Sequence, residues 1–152
     1  LSLKVVGESI GLSGEAKKIK SAAGPTVEFL GFVNDEELIE LYVGAKAFLA
    51  TARDEDFGMT VVEAQLCGIP VIAYRGGGYL ETVIDGKTGI FFDEYSVQGL
   101  KRALGKFSIQ YSVFSISAIQ NHAKKFSKER FVKQMKNIIS HAVSQTSDEN
   151  TR

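Results

Sequence analysis

Short β-like runs alternating with longer helical patterns constrain this chain more than any other feature. Leu3 to Val6 is a β-branched run closed by Gly7, and Glu15 to Ala23 reads as a helix stopped by Gly24-Pro25. Val27 to Val33 is apolar at Val27, Phe29, Leu30, Phe32 and Val33, which predicts a strand buried on both faces. Asn34 then caps a helix, with Glu37 three residues on to close a capping box. Leu38, Leu41, Tyr42 and Ala45 follow at i, i+3, i+4 and i+7, the apolar stripe of an amphipathic helix. Ala47 to Ala50 is the next strand, and a helix from about Met59 stops at Gly68 with Pro70 beyond it. Val71 to Tyr74 is another strand, Gly76 to Gly78 a loop, and Tyr79 to Ile84 a short helix. Asp85-Gly86 turns the chain into a strand over Gly89 to Phe92. Two to four helices finish it, the last with a Phe131, Met135, Ile138 stripe behind a Ser127 cap; Ser144 to Arg152 reads as a polar, disordered tail.

Strands and helices in this rhythm predict an α/β fold, a Rossmann-like three-layer domain built on a parallel sheet. Ligands of such sheets bind beyond the carboxyl ends of the strands, so the loops after Val33, Ala50 and Tyr74 are the ones to inspect. The 152 residues fit one domain, at about 150 residues each, and bury roughly two-thirds of the unfolded surface.

Composition narrows the function. Eighteen basic and eighteen acidic residues cancel, which argues against nucleic acid as the main partner. One cysteine, Cys67, excludes an internal disulfide and a multi-thiolate zinc site, and two histidines disfavour a histidine metal site. No metal and no cofactor are therefore expected. Ile69 to Tyr74 falls far short of the about 20 apolar residues of a spanning helix, and no signal peptide is evident, so a cytoplasmic location is expected. The charges are unevenly spread. Glu28 to Glu63 holds nine acids against two bases, a net of −7, whereas Lys101 to Lys136 holds nine bases against Glu129, a net of +8. Lys124, Lys125, Lys128, Lys133 and Lys136 make a peripheral contact with anionic lipid an accessory expectation.

Two glycine motifs fail. Gly86-Lys87-Thr88 would need a glycine at position 81 to end a P-loop, and that residue is Glu81. The dinucleotide fingerprint has no correctly spaced triplet.

One motif holds. Arg53 to Ala64 stands at a strand-to-helix junction and carries Glu55 and Glu63 eight residues apart. Between them the amides of Phe57, Gly58, Met59 and Thr60 are the unpaired donors of a helix start, and Gly58 permits close approach. Amide donors at the positive end of a helix dipole suit phosphate, and carboxylates suit hydroxyls. A nucleoside-diphosphate sugar, with phosphates between two hydroxylated rings, satisfies both. The same residues also suit a capped helix whose carboxylates complement the dipole, and the segment alone leaves both readings open.

The segment resembles the Glu-x7-Glu motif of the family 4 retaining glycosyltransferases, which have the GT-B architecture. The similarity continues through Gly68-Ile69-Pro70-Val71-Ile72-Ala73, Gly77-Gly78-Tyr79-Leu80-Glu81 and Asp85-Gly86-Lys87-Thr88-Gly89, and upstream through Val27 to Val33 and Leu38 to Tyr42. The resemblance implies the C-terminal half of a GT-B enzyme, with residues 1–143 as a nucleotide-sugar donor-binding domain. Glu55 would hold hydroxyls of the transferred sugar and Glu63 the ribose hydroxyls, as the catalytic pair. Amides around Phe57, Gly58 and Met59 would meet sugar and distal phosphate, with Thr60 and Val61 along the diphosphate. The base would sit by Val33 with Asp35 nearby, although Asp35 also serves the helix dipole. Arg75 is expected as an exposed loop residue, and Gly77 and Gly78 as turn residues.

Two departures accompany the resemblance. The resemblance implies an N-terminal acceptor-binding domain and an opening strand and helix of the donor domain beyond the segment matched, so a fragment of a longer chain is expected; Leu3 to Val6 resembles a later strand, ending in a Val-Gly-acidic turn. The fragment alone is therefore expected to be inactive. Asp56 stands where the family more often has Gly. The implied activity is transfer of a hexose, mannose or glucose by family frequency, to a saccharide or lipid-linked acceptor. The alternative is a non-catalytic nucleotide-sugar binding module.

Overall fold

The computed structural model describes residues 2–7 and 13–149. Glu8, in the expected acidic turn, and Asn150 to Arg152 lie outside the described residues. Packing divides the chain into two units, residues 1–41 and 42–152.

The first unit holds β1 (Leu3–Val6), α1 (Ser13–Ala22) and β2 (Val27–Gly31), and α2 (Asp35–Gly44) begins in it. β1 and β2 pair in parallel, Leu3 against Val27, with a register shift between Val5 and Val6. β2 ends two residues earlier than the apolar run predicts, because Gly31 takes a left-handed φ of 68°. Phe32 leaves the ladder and is 77% exposed, and the residues of β2 alternate between half-buried and exposed, so the doubly buried strand is not formed in this unit. The capping box forms. The Glu37 amide donates to Asn34 Oδ1 at 2.9 Å, and the Asn34 amide to Glu37 Oε2 at 3.1 Å.

The second unit carries β3 (Phe48–Ala50), α3 (Met59–Leu66), β4 (Val71–Tyr74), α4 (Tyr79–Thr82), β5 (Gly89–Phe92), α5 (Val97–Gln110), α6 (Ile116–Ala123) and α7 (Lys128–Glu149). Its sheet is parallel, in the order β3-β4-β5, with Phe48 against Val71 and Val71 against Gly89. The period of two along each strand sends alternate side chains to two cores. Val71, Ala73 and Phe91 pack with Val61 of α3 and Tyr79 of α4. Ile72, Ile90 and Phe92 pack with Ala103 and Phe107 of α5 on the opposite face. Helix, sheet and helix thus form the three layers expected, and β4 and β5 read as apolar runs because both faces are covered.

The helix boundaries follow their caps. Gly68, at φ 83°, ends α3 as its position predicts, and the Ile69 amide returns to the Ala64 carbonyl at 3.0 Å. Ser127 caps α7 through the Arg130 amide at 3.3 Å. Through the polar segment from Ser144 the backbone stays helical to Glu149. Tyr79 to Thr82 is one turn, shorter than predicted, because Val83 is extended. Gly89 opens a strand rather than a helix, in keeping with the rejected P-loop. No helix among the described residues is long and apolar enough to cross a membrane.

Candidate functional site

The loop from Thr51 to Gly58 leaves the carboxyl end of β3 and delivers the chain to α3. Gly58 precedes that helix at φ 85° and ψ 53°, a conformation that only glycine adopts without strain. The ring of Tyr79 closes the space beside it, 3.0 Å from where a β-carbon would stand. Glycine is therefore required twice, by φ and by the tyrosine.

Glu55 turns back onto this helix start. Its Oε1 accepts from the Gly58 amide at 3.0 Å, while its main-chain carbonyl accepts from the Gly78 amide at 2.7 Å. Of the four amides expected to be free, that of Gly58 is thus occupied by the motif's own glutamate. Phe57, Met59 and Thr60 keep amides without a partner among the described residues, whereas Val61 and Val62 both donate to the Gly58 carbonyl. The side chain of Val61 is fully buried in the core. The Val61 amide is thus engaged at the helix start and its side chain lies in the core. Met59 and Thr60 are exposed. The Phe57 ring turns away to pack edge-on against Phe126, with centroids 5.5 Å apart.

Glu63 sits one turn into α3 and is half-buried. The buried Tyr42 hydroxyl donates to its Oε2 at 3.3 Å, and the Thr60 carbonyl lies 3.5 Å from the same hydroxyl. Burial, reinforced by the Glu63 charge, pushes the Tyr42 phenol up to about 12. Burial and then the Glu63 charge also raise the Cys67 thiol. Tyr79 is raised by burial first and by the Glu55 charge second. Glu63 is thus hydrogen-bonded to a buried tyrosine, and Glu55 lies within electrostatic reach of another. Each glutamate also keeps one carboxylate oxygen without a hydrogen bond among the described residues. Neither tyrosine was identified from sequence. Tyr42 was legible as a member of an apolar stripe and Tyr79 as a helix start, each also inside a block that resembles the family, but neither with a role of its own.

The glycine loop supports the first glutamate from below. A β-carbon on Gly77 would stand 2.3 Å from the Glu55 carbonyl oxygen, and one on Gly78 would stand 2.2 Å from the Phe57 α-carbon. These glycines are turn residues, as expected, and also the floor of the motif loop. Arg75 is exposed in part but not free. It pairs with Asp85 at 2.8 Å and with Asp93, and lies 4.5 Å from the Phe91 ring centroid.

Val33 and Asp35 belong to the first unit, Val33 half-buried after β2 and Asp35 exposed in the first turn of α2. Two clefts of about 240 Å³ lie elsewhere in the second unit, one along β5 and α5, the other between Thr88 and α6, and neither is lined by Glu55 or Glu63. Among the described residues no three of His, Cys, Asp and Glu converge as a metal site.

The parallel α/β layers are a fold shared with GT-B glycosyltransferases. Sequence places the chain within them: the family described as glycosyl transferases group 1 matches residues 1–139, and the chain belongs to it. A D-inositol 3-phosphate glycosyltransferase of Salinispora tropica is 31% identical over 132 residues, covering 84% of this chain and 27% of that protein. The chain thus spans little more than a quarter of this relative's length. Anabaena HepE, solved in complex with UDP-glucose, is 27% identical with a TM-score of 0.74, covering 95% of this chain and 41% of its own. A sucrose-phosphate synthase from Thermosynechococcus elongatus is 25% identical with a TM-score of 0.79, over 95% of this chain and 39% of its own.

Proposed function

We propose that this chain is the donor-binding domain of a retaining glycosyltransferase, which transfers a hexose, mannose or glucose, from a nucleoside-diphosphate sugar to a saccharide or lipid-linked acceptor. The observation that carries the reading is the start of α3. There the unpartnered amides of Met59 and Thr60 stand between a glutamate in the loop and a glutamate on the helix.

Amides at a helix start attract the diphosphate and stabilise the charge that grows on it as the glycosidic bond breaks. Glu55 contributes its free oxygen to hydroxyls of the sugar, and Glu63 contributes its free oxygen to the ribose. Neither needs to carry a proton, so their work is to orient the donor. The UDP-glucose complex of HepE supports a nucleotide sugar as the ligand. The family's whole enzymes are longer than this chain, and the acceptor site belongs to the remainder. By itself the chain binds the donor and transfers little or no sugar.

Calorimetric titration with UDP, GDP, ADP and their glucose and mannose derivatives tests the reading. Saturable binding of at least one, weakened in both Glu55→Gln and Glu63→Gln, is the expected result. Absence of binding to all of them sinks the reading. Sugar transfer by the isolated chain sinks its last part.

A further inference from the structure

The second glutamate does not stand alone on its helix. Tyr42, near the end of α2, reaches across to it with a hydroxyl that has a single proton to give. Two acceptors lie in range, the Thr60 carbonyl at 3.5 Å and Glu63 Oε2 at 3.3 Å. The carboxylate is both nearer and charged, so it accepts the hydrogen bond, because hydrogen bonds to ionised acceptors are the stronger ones. The Tyr42 ring is fixed in turn, packed edge-on against Phe48 of β3 with centroids 5.8 Å apart. Strand, helix and helix thus converge on one carboxylate oxygen.

We propose that Tyr42 is a positioning residue for the nucleotide: its hydroxyl occupies Glu63 Oε2 and so presents Oε1 to the vicinal hydroxyls of the ribose. The proposal rests on the donor-binding reading above and adds to it the residue that sets the geometry of the ribose contact. A free glutamate samples many rotamers and must be ordered when the ligand arrives. A glutamate already tied by one oxygen is ordered beforehand, and binding retains that difference. The phenol remains protonated throughout the working pH range, since burial and the adjacent carboxylate hold it far above neutrality. A buried hydroxyl with no partner is costly, so phenylalanine would fill this place as well unless the bond mattered.

A purely structural tether between α2 and α3 would weaken every ligand alike. A positioning role weakens only ligands that carry ribose hydroxyls. The test therefore titrates UDP, GDP and ADP, each beside its 2′,3′-dideoxy analogue, into the wild type, Tyr42→Phe, Glu63→Gln and the double variant. Tyr42→Phe keeps the ring and its contact with Phe48. A thermal melt confirms that each variant is folded. The wild type is expected to prefer the ribonucleotide. Tyr42→Phe is expected to lower that preference by about tenfold, the lower end of the scale of one hydrogen bond to a charged group, with the dideoxy affinity unchanged. In the double variant the two losses overlap rather than add. A wild-type preference in Tyr42→Phe overturns the proposal. Equal weakening of both analogues overturns it too and leaves a structural tether. If the wild type binds none of the six ligands, the donor-binding reading itself fails and takes the proposal with it. If it binds nucleotides without preferring ribose, only the ribose contact and Tyr42 are refuted.

Discussion

The amide of Gly78 donates to the main-chain carbonyl of Glu55 at 2.7 Å. Two loops that follow different strands are joined here, the one after β3 and the one after β4. No side chain mediates the contact. The loops touch backbone to backbone, which is possible because Gly77 and Gly78 present no β-carbon to the loop above. The position of the first motif glutamate is therefore set by residues more than twenty positions later in the chain.

Gly78→Ala is expected to be among the most damaging single substitutions in the chain. The added carbon would stand 2.2 Å from the Phe57 α-carbon and 2.5 Å from the Asp56 carbonyl oxygen, and neither is a flexible side-chain tip. The loss should exceed about 3 kcal/mol, the range reserved for severe overpacking. Gly86→Ala is the control. Gly86 has φ 73° but open space around its α-carbon, so only the left-handed backbone penalty of about 1 kcal/mol applies. Urea denaturation of the two variants compares them. Equal losses would show that the loops do not rely on their close approach.

Glu55 caps the start of α3 and, in the proposed reading, also meets the ligand; two substitutions separate these roles. Glu55→Gln keeps a carbonyl oxygen for the Gly58 amide, so stability should change little. Glu55→Ala leaves that amide without its cap and should cost about 1 kcal/mol. Both remove the carboxylate, so both should lose more affinity for a nucleotide sugar than for the nucleoside diphosphate alone. Denaturation and titration together check this. A glutamine variant as unstable as the alanine variant would mean that charge, not the hydrogen bond, holds the loop.

Arg75 is a brace rather than a phosphate clamp. Its guanidinium is shared between Asp85 and Asp93 and lies over Phe91, tying the loop after β4 to both ends of β5. The pairs are partly exposed, so Arg75→Ala should cost only about 1 kcal/mol, with part of that cost disappearing in high salt. Arg75→Lys should recover less than half, because an ammonium lacks the planar fork that reaches two carboxylates. Nucleoside-diphosphate affinity should stay within about twofold in both variants, as for changes away from a site. A large drop in that affinity would restore Arg75 to the ligand.

Local patterns were legible in the sequence, and contacts between distant segments were not. The Asn34–Glu37 capping box and the Gly68 helix stop each depend on residues a few positions apart, and both formed as read. Val71 to Tyr74 formed a strand as read, but its unbroken apolar run did not say which side chains face α3 and which face α5. Within the site, the spacing of Glu55 and Glu63 located the strand-to-helix junction. It did not reveal that Glu55 bends back to cap Gly58, because a loop side chain's direction has no period. Nor did it reveal Tyr42. Helical periodicity says which face a residue occupies and nothing about what its hydroxyl reaches on another helix. The burial of Val61 beside Val62, Ala64 and Gln65 was likewise not legible from the helix start alone.

His122 predicts how the fold responds to acid. It is buried on α6, and its Nε2 lies 3.0 Å from the Thr82 carbonyl, which also accepts from the Gln65 side-chain amide at 2.9 Å. Nδ1 is buried and has no hydrogen-bond partner among the described residues. Burial lowers the imidazole below its ordinary value of 6.5, and the nearby Lys125 charge adds to this, against the smaller opposing effect of the Thr82 carbonyl. A lowered folded-state value means that the unfolded chain binds the proton more readily. The stability contributed by neutral His122 is then fully present above about pH 6.5 and is lost as the pH falls below it, at no more than about 1.4 kcal/mol per pH unit. His122→Gln keeps an N–H donor for Thr82 and cannot titrate. Urea denaturation at intervals from pH 7.5 to pH 5 should therefore give a flatter profile for the variant than for the wild type. Parallel profiles would mean that His122 does not hold its neutral form in the folded chain.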